Sequence, residues 1–122
     1  VEQSHYQEIY GDGTIEEEFL GKRNRLADLL KSYGFKIDKK QFLNPEYDLA
    51  FDMMLFKSIG YPKLFSFCEG LFMGTYSVTY INEYFTIGFE DFYLRNTNYL
   101  KKICPILTEK INILDDLANG YI

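Results

Sequence analysis

The sequence contains no tryptophan, a single histidine and only two cysteines. Any Ser–His or Cys–His nucleophilic pair would have to use His5, which lies near the N-terminus, where chains are usually poorly ordered. Cys68, Cys104 and His5 supply three soft ligands without the spacing of a zinc site. These scarcities predict a protein that is not an enzyme and has no catalytic residues, no metal and no cofactor.

Other features are also missing. No run of eighteen apolar residues exists, so we expect no membrane span. Glu16 occupies the third glycine position after Gly11 and Gly13, and the acidic turn that follows would repel a phosphate, which argues against a nucleotide site. Two cysteines among apolar residues predict buried, reduced thiols rather than a disulfide scaffold, and hence a cytoplasmic protein.

The chain has 122 residues, and its composition is typical of one globular domain spanning residues 1–122. Apolar residues make up 47% of the sequence, enough for a core without disulfides or metals. The unusual feature is an aromatic content of 18%, as 11 phenylalanines and 11 tyrosines. Tyrosine combines an apolar ring with a polar tip, so it suits both cores and interfaces.

The formal net charge is −5, which disfavours nucleic acid and anionic membranes and favours a basic partner. The charge is uneven. Residues 1–21 carry six acids and no base, whereas residues 22–40 carry seven bases against two acids. We interpret these bases as solvated surface, with steering of an oppositely charged protein as the alternative. They are Lys22, Arg23, Arg25, Lys31, Lys36, Lys39 and Lys40.

Residues 15–33 have the pattern of an amphipathic helix. Thr14 and Glu17 have the spacing of a capping box, and Gly34 stands where a left-handed C-terminal cap is expected. Glu16–Glu18 lie where the helix dipole favours negative charge. The buried stripe predicted by the helical spacing comprises Ile15, Phe19, Leu26, Leu29, Leu30 and Tyr33.

A second helix is predicted over residues 45–58, begun by Asn44 and Pro45 and ended by Gly60. Leu49, Met53 and Phe56 lie on one of its faces. Residues 63–73 are ambiguous between a buried helix begun by Pro62 and a buried strand.

Residues 75–81 and 84–87 are rich in β-branched and aromatic side chains, which predicts a β-hairpin near residues 75–89. Residues 98–118 predict a last helix that either kinks or restarts at Pro105. Residues 35–38 predict a short strand or an extended connector. The expected fold is therefore α+β, with three to four helices packed on a small antiparallel sheet.

The scarcity of catalytic groups, the acidic surface and the tyrosine content together favour a small protein-binding inhibitor of the immunity or antitoxin type. Such a protein would neutralise a basic partner, for example a toxin or nuclease, by covering its surface. The alternatives are a structural or oligomeric subunit, and a small-ligand binder or enzyme that uses carboxylates and tyrosines. The partner-binding residues predicted here are Asp48, Asp52, Tyr80, Glu83, Tyr84, Glu90 and Asp91.

Overall fold

A computed structural model describes residues 13–94, 97–118 and 120. Over these residues the chain forms seven α-helices, one π-helix, one 3-10 helix and no strand, so the predicted α+β fold is wrong. The α-helices are α1 (Thr14–Ser32), α2 (Lys39–Phe42), α3 (Leu49–Met54), α4 (Tyr61–Cys68), α5 (Ile81–Leu94), α6 (Thr97–Ile103) and α7 (Pro105–Ala118). The π-helix Leu55–Ile59 continues α3, and the 3-10 helix Thr75–Val78 precedes α5.

The predicted β-hairpin near residues 75–89 is replaced by the 3-10 helix and α5. The buried residues of α5 follow one another at helical spacing; they are Ile81, Tyr84, Phe85, Gly88 and Asp91. Gly88 lies where α5 meets α7, since a Cβ there would overlap the Leu107 side chain. Strand propensity largely reflects packing context, so the contact with neighbouring helices overrides it here.

Helix α1 contacts α2, α4, α5 and α7. The predicted stripe is confirmed for Ile15, Phe19, Leu26 and Leu30, but Leu29 is only half-buried and Tyr33 is exposed. The predicted Thr14 cap is wrong, since Thr14 is the first helical residue and Gly13 precedes it without a side-chain cap.

The end of α1 is as predicted. Gly34 has a φ of 93°, in the left-handed region that glycine enters at no steric cost. The Phe35 N–H donates to the Leu30 carbonyl at 3.1 Å, the bond expected of a Schellman turn. Residues 35–38 then form an extended connector to α2, not a strand.

The second predicted helix begins later than expected. Asn44 makes a local turn instead, accepting from the Glu46 N–H at 3.1 Å, and Asp48 is the residue that caps α3. The sequence left open whether Pro62 begins a helix and whether the last helix kinks or restarts at Pro105. Pro62 lies in the first turn of α4, and Pro105 begins the new helix α7.

Two of the basic residues interpreted as solvated are buried in α1, which corrects that part of the sequence analysis. The Lys22 ammonium donates to the Leu71 carbonyl at 2.6 Å, to the Ile103 carbonyl, and to Cys104 Sγ at 3.0 Å. A buried ammonium requires such partners, because it loses its hydration on folding. Lys22 therefore joins α1 to the segment after α4 and to the C-terminal end of α6.

The second buried base is Arg23, whose guanidinium lies 4.1 Å from the centre of the Phe51 ring. It donates to the carbonyls of Gln41 at 2.9 Å and Asn44 at 3.3 Å. Burial lowers the pKa of Arg23 to about 10, and the nearby Asp48 carboxylate partly opposes this effect. Arg23 thus ties α1 to α2 and to the loop that follows it.

The buried apolar residues form one cluster to which all the longer helices contribute. Cys68 and Cys104 belong to it as free, buried thiols, which confirms the prediction for both. None of the helices in the described part of the chain combines the length and apolar composition that crossing a bilayer requires.

Candidate protein-binding surface

The continuous helical segment formed by α3 and the π-helix is apolar on two sides. Phe51 and Leu55 are fully buried on the inner side. On the outer side Leu49 is 64%, Met53 38% and Phe56 57% exposed. The sequence pattern correctly placed these last three residues on one face, but that face points into solvent. Contiguous exposed apolar residues on a small protein mark interaction sites.

Next to this stripe, the Asp52 carboxylate links two tyrosines. It accepts hydrogen bonds from the Tyr47 hydroxyl at 2.9 Å and from the Tyr61 hydroxyl at 3.3 Å. The hydrogen bond to Asp52 raises the pKa of Tyr47, and burial followed by the charge of Asp52 raises the pKa of Tyr61. Both phenols therefore remain neutral hydrogen-bond donors to Asp52 at physiological pH.

Ring contacts extend this arrangement. Tyr47 packs against Tyr80 with ring centres 5.3 Å apart, and Tyr61 packs against Phe56 at 5.7 Å and Tyr76 at 5.4 Å. We call the connected set the aromatic surface. It comprises Tyr47, Leu49, Asp52, Met53, Phe56, Tyr61, Tyr76 and Tyr80.

A groove of about 410 Å³ adjoins the aromatic surface at Tyr76. It lies between α4, the 3-10 helix and α5. Glu83 and Glu90 line it from α5, and Phe65, 69% exposed, lines it from α4. Among the described residues that line the groove, none is a lysine or an arginine. The groove therefore combines exposed rings with two carboxylates, and no base among its described lining residues compensates their charge.

Five of the seven predicted partner-binding residues lie on or beside these features. Asp52 and Tyr80 belong to the aromatic surface, and Glu83 and Glu90 line the groove. Asp48 caps α3 by accepting from the Ala50 N–H at 3.0 Å, so it has a structural role next to the surface.

The other two predicted residues are inside the protein. Tyr84 is 1% and Asp91 3% exposed, because both lie on the inner face of α5. The Tyr84 hydroxyl donates to the Glu18 carboxylate in the interior. Tyr84 was predicted to lie on the second strand of the hairpin and Asp91 to follow the hairpin, whereas α5 places both side chains where a partner cannot reach them.

Six residues of the aromatic surface were not among the predicted partner-binding residues: Tyr47, Leu49, Met53, Phe56, Tyr61 and Tyr76. A signal for Phe56 was present, since the segment 49–59 carries more apolar positions than a single buried face requires. Tyr61 and Tyr76 carried no such signal, because only the fold brings α4 and the 3-10 helix beside α3.

The described residues contain no group of three or more histidine, cysteine or carboxylate side chains arranged to hold a metal ion. His5 lies outside the described residues. Comparison of the sequence with protein-family models and curated proteins, and of the fold with solved structures, gives no match. The surface must therefore be interpreted from its own chemistry.

Proposed function

We propose that this protein binds a basic partner protein through the aromatic surface and acts as an inhibitor of the immunity or antitoxin type. The observation that carries the proposal is the exposed stripe of Leu49, Met53 and Phe56. The same helical segment buries Phe51 and Leu55 in the core, whereas folding leaves much of the stripe in solvent. Leaving it in water is unfavourable, and a partner that covered it would recover that free energy.

The composition of the surface supports a protein partner. Tyrosine, phenylalanine and methionine are enriched at protein interfaces, where rigid rings provide contact area at a low entropic cost. Tyr47 and Tyr61 are already held by Asp52, so little further ordering is needed on binding.

The charge of the surface supports a basic partner. Glu83 and Glu90 border the aromatic surface, and the whole chain carries a net charge of −5. A protein that binds nucleic acid, such as a nuclease toxin, presents lysine and arginine at its phosphate-binding site. An acidic surface with aromatic anchors would be attracted to that site and would cover it.

The test is a capture experiment from the native lysate with the tagged protein and two matched double variants. Leu49→Asn/Phe56→Asn removes one aliphatic and one aromatic side chain from the aromatic surface. Tyr33→Asn/Leu94→Asn removes a similarly exposed pair that lies outside it. We expect the wild type and the control to retain one stoichiometric basic protein that high salt releases, and the surface variant to lose it.

Sedimentation of the three proteins tests the oligomeric alternative. If the wild type is a dimer and only the Leu49→Asn/Phe56→Asn variant is a monomer, the surface joins copies of this chain and the proposal is wrong. Equal capture by both variants would also contradict it, because the partner would then bind elsewhere.

A further inference from the structure

We propose that the groove between α4, the 3-10 helix and α5 binds an arginine side chain of the partner. This inference rests on the proposed function, since it specifies which group of a basic partner enters which part of the surface. The groove, of about 410 Å³, is open to solvent and adjoins the aromatic surface through Tyr76.

The two carboxylates of the groove occupy one face of α5. Glu83, Ile87 and Glu90 are spaced at i, i+4 and i+7, so the isoleucine lies between the two acids along the helix. A cation that enters between Glu83 and Glu90 meets negative charge on both sides. Because no basic residue lines the groove, nothing on the described protein already neutralises these carboxylates from within it.

The remaining walls suit the rest of an arginine side chain. Phe65 and Tyr76 expose 69% and 59% of their surface, and a guanidinium stacks on such rings more readily than an ammonium does. Met73 and Ile87 offer apolar surface for the three methylene groups of the stem. The groove thus combines two carboxylates, two exposed ring faces and apolar side chains.

The probe is the capped tripeptide Gly-Arg-Gly, compared with the same peptide carrying citrulline, which keeps the shape of arginine without its charge. Binding is followed by NMR chemical-shift changes in the isotope-labelled protein. We expect the arginine peptide to shift the resonances of Phe65, Tyr76 and Ile87, and the citrulline peptide to leave them nearly unchanged.

Two variants of equal charge locate the binding. Glu83→Gln/Glu90→Gln should weaken the arginine peptide about five- to tenfold, as expected for the loss of two partly exposed ion pairs. Glu16→Gln/Glu109→Gln removes two exposed carboxylates outside the groove and should leave its affinity unchanged. Equal shifts with citrulline, equal weakening in both variants, or shifts spread over all acidic surfaces would overturn the assignment.

Failure of this experiment is distinguishable from failure of the proposed function. The peptide titration needs no partner, and the capture experiment does not depend on the groove residues. If the tripeptide does not bind in the groove while the Leu49→Asn/Phe56→Asn variant loses the partner, only the arginine assignment is wrong.

Discussion

Replacing Glu18 with alanine should destabilise the protein far more than its position on α1 suggests. The Glu18 carboxylate reaches α7, where it accepts from the Ile106 N–H at 2.7 Å and the Leu107 N–H at 3.4 Å. These are amides of the first turn of α7, which have no partner within their own helix. Glu18 also accepts from the Tyr84 hydroxyl. One side chain on α1 therefore caps α7 and satisfies a buried phenol of α5.

The cost of Glu18→Ala follows from these partners. Losing a helix cap costs about 0.5–2 kcal/mol, and leaving a buried hydroxyl with a weaker partner costs about 1–3 kcal/mol. We therefore expect a loss of roughly 2–4 kcal/mol. Glu17→Ala is the matched control, because Glu17 is adjacent and exposed, and its effect should be about 0.5 kcal/mol or less.

The measurement is urea unfolding followed by circular dichroism, since the chain has no tryptophan for fluorescence. Hydrogen exchange should in addition show reduced protection at the Ile106 and Leu107 amides. Adding Tyr84→Phe to Glu18→Ala removes the hydroxyl that has lost its carboxylate partner but keeps the ring that packs on Phe19. The loss of unfolding free energy in the double variant should therefore be smaller than the sum of the two single-variant losses by about 1 kcal/mol. Additive losses, or equal effects of Glu17→Ala and Glu18→Ala, would refute this reasoning.

Three further predictions concern the interior. Gly88→Ala should lower the free energy of unfolding by about 1–3 kcal/mol, because its Cβ would overlap Leu107 in the core. Gly21→Ala has open space around its Cβ and should raise the free energy of unfolding by up to about 1 kcal/mol. Thermal unfolding of both variants checks this. Lys22→Met should cost about 1–3 kcal/mol in urea, because the Leu71 and Ile103 carbonyls lose their donor, while Lys31→Met on the exposed side of α1 should change little. Burial raises the pKa of Cys68 to about 12, so the unfolded chain loses this proton first as the pH rises. The contribution of the protonated Cys68 thiol to the free energy of unfolding is complete below pH about 9 and is lost between pH about 9 and 12. Over that range the free energy of unfolding of Cys68→Ala should therefore fall less steeply with pH than that of the wild type.

The candidate surface was only partly predictable from the sequence. Net charge and tyrosine content are properties of composition, so the prediction of a basic partner required no fold. Asp48, Asp52, Glu83 and Glu90 were chosen as acidic residues, whereas Tyr80 was chosen as part of the predicted hairpin. Tyr84 is buried, because the segment predicted to be a strand is a helix whose inner face carries this residue.

Local signals determined several elements of the fold. The apolar stripe of α1, its end at Gly34 and the end of the π-helix at Gly60 depend on side-chain spacing and on backbone conformations that neighbouring residues set. The burial of Cys68 and Cys104 was likewise evident from their apolar surroundings. These features need little information from distant parts of the chain.

Only the tertiary structure decided the rest. Residues 81–94 form a helix that packs closely on α7 at Gly88, a contact that a local preference for strand could not indicate. Lys22 is buried because carbonyls from two other segments surround its ammonium, and Glu18 caps a helix that begins 87 positions later along the chain. Which apolar face of α3 is buried was also decided by its neighbours. In each case the deciding partner is distant in sequence, so its contribution to the free energy exists only once the helices have packed.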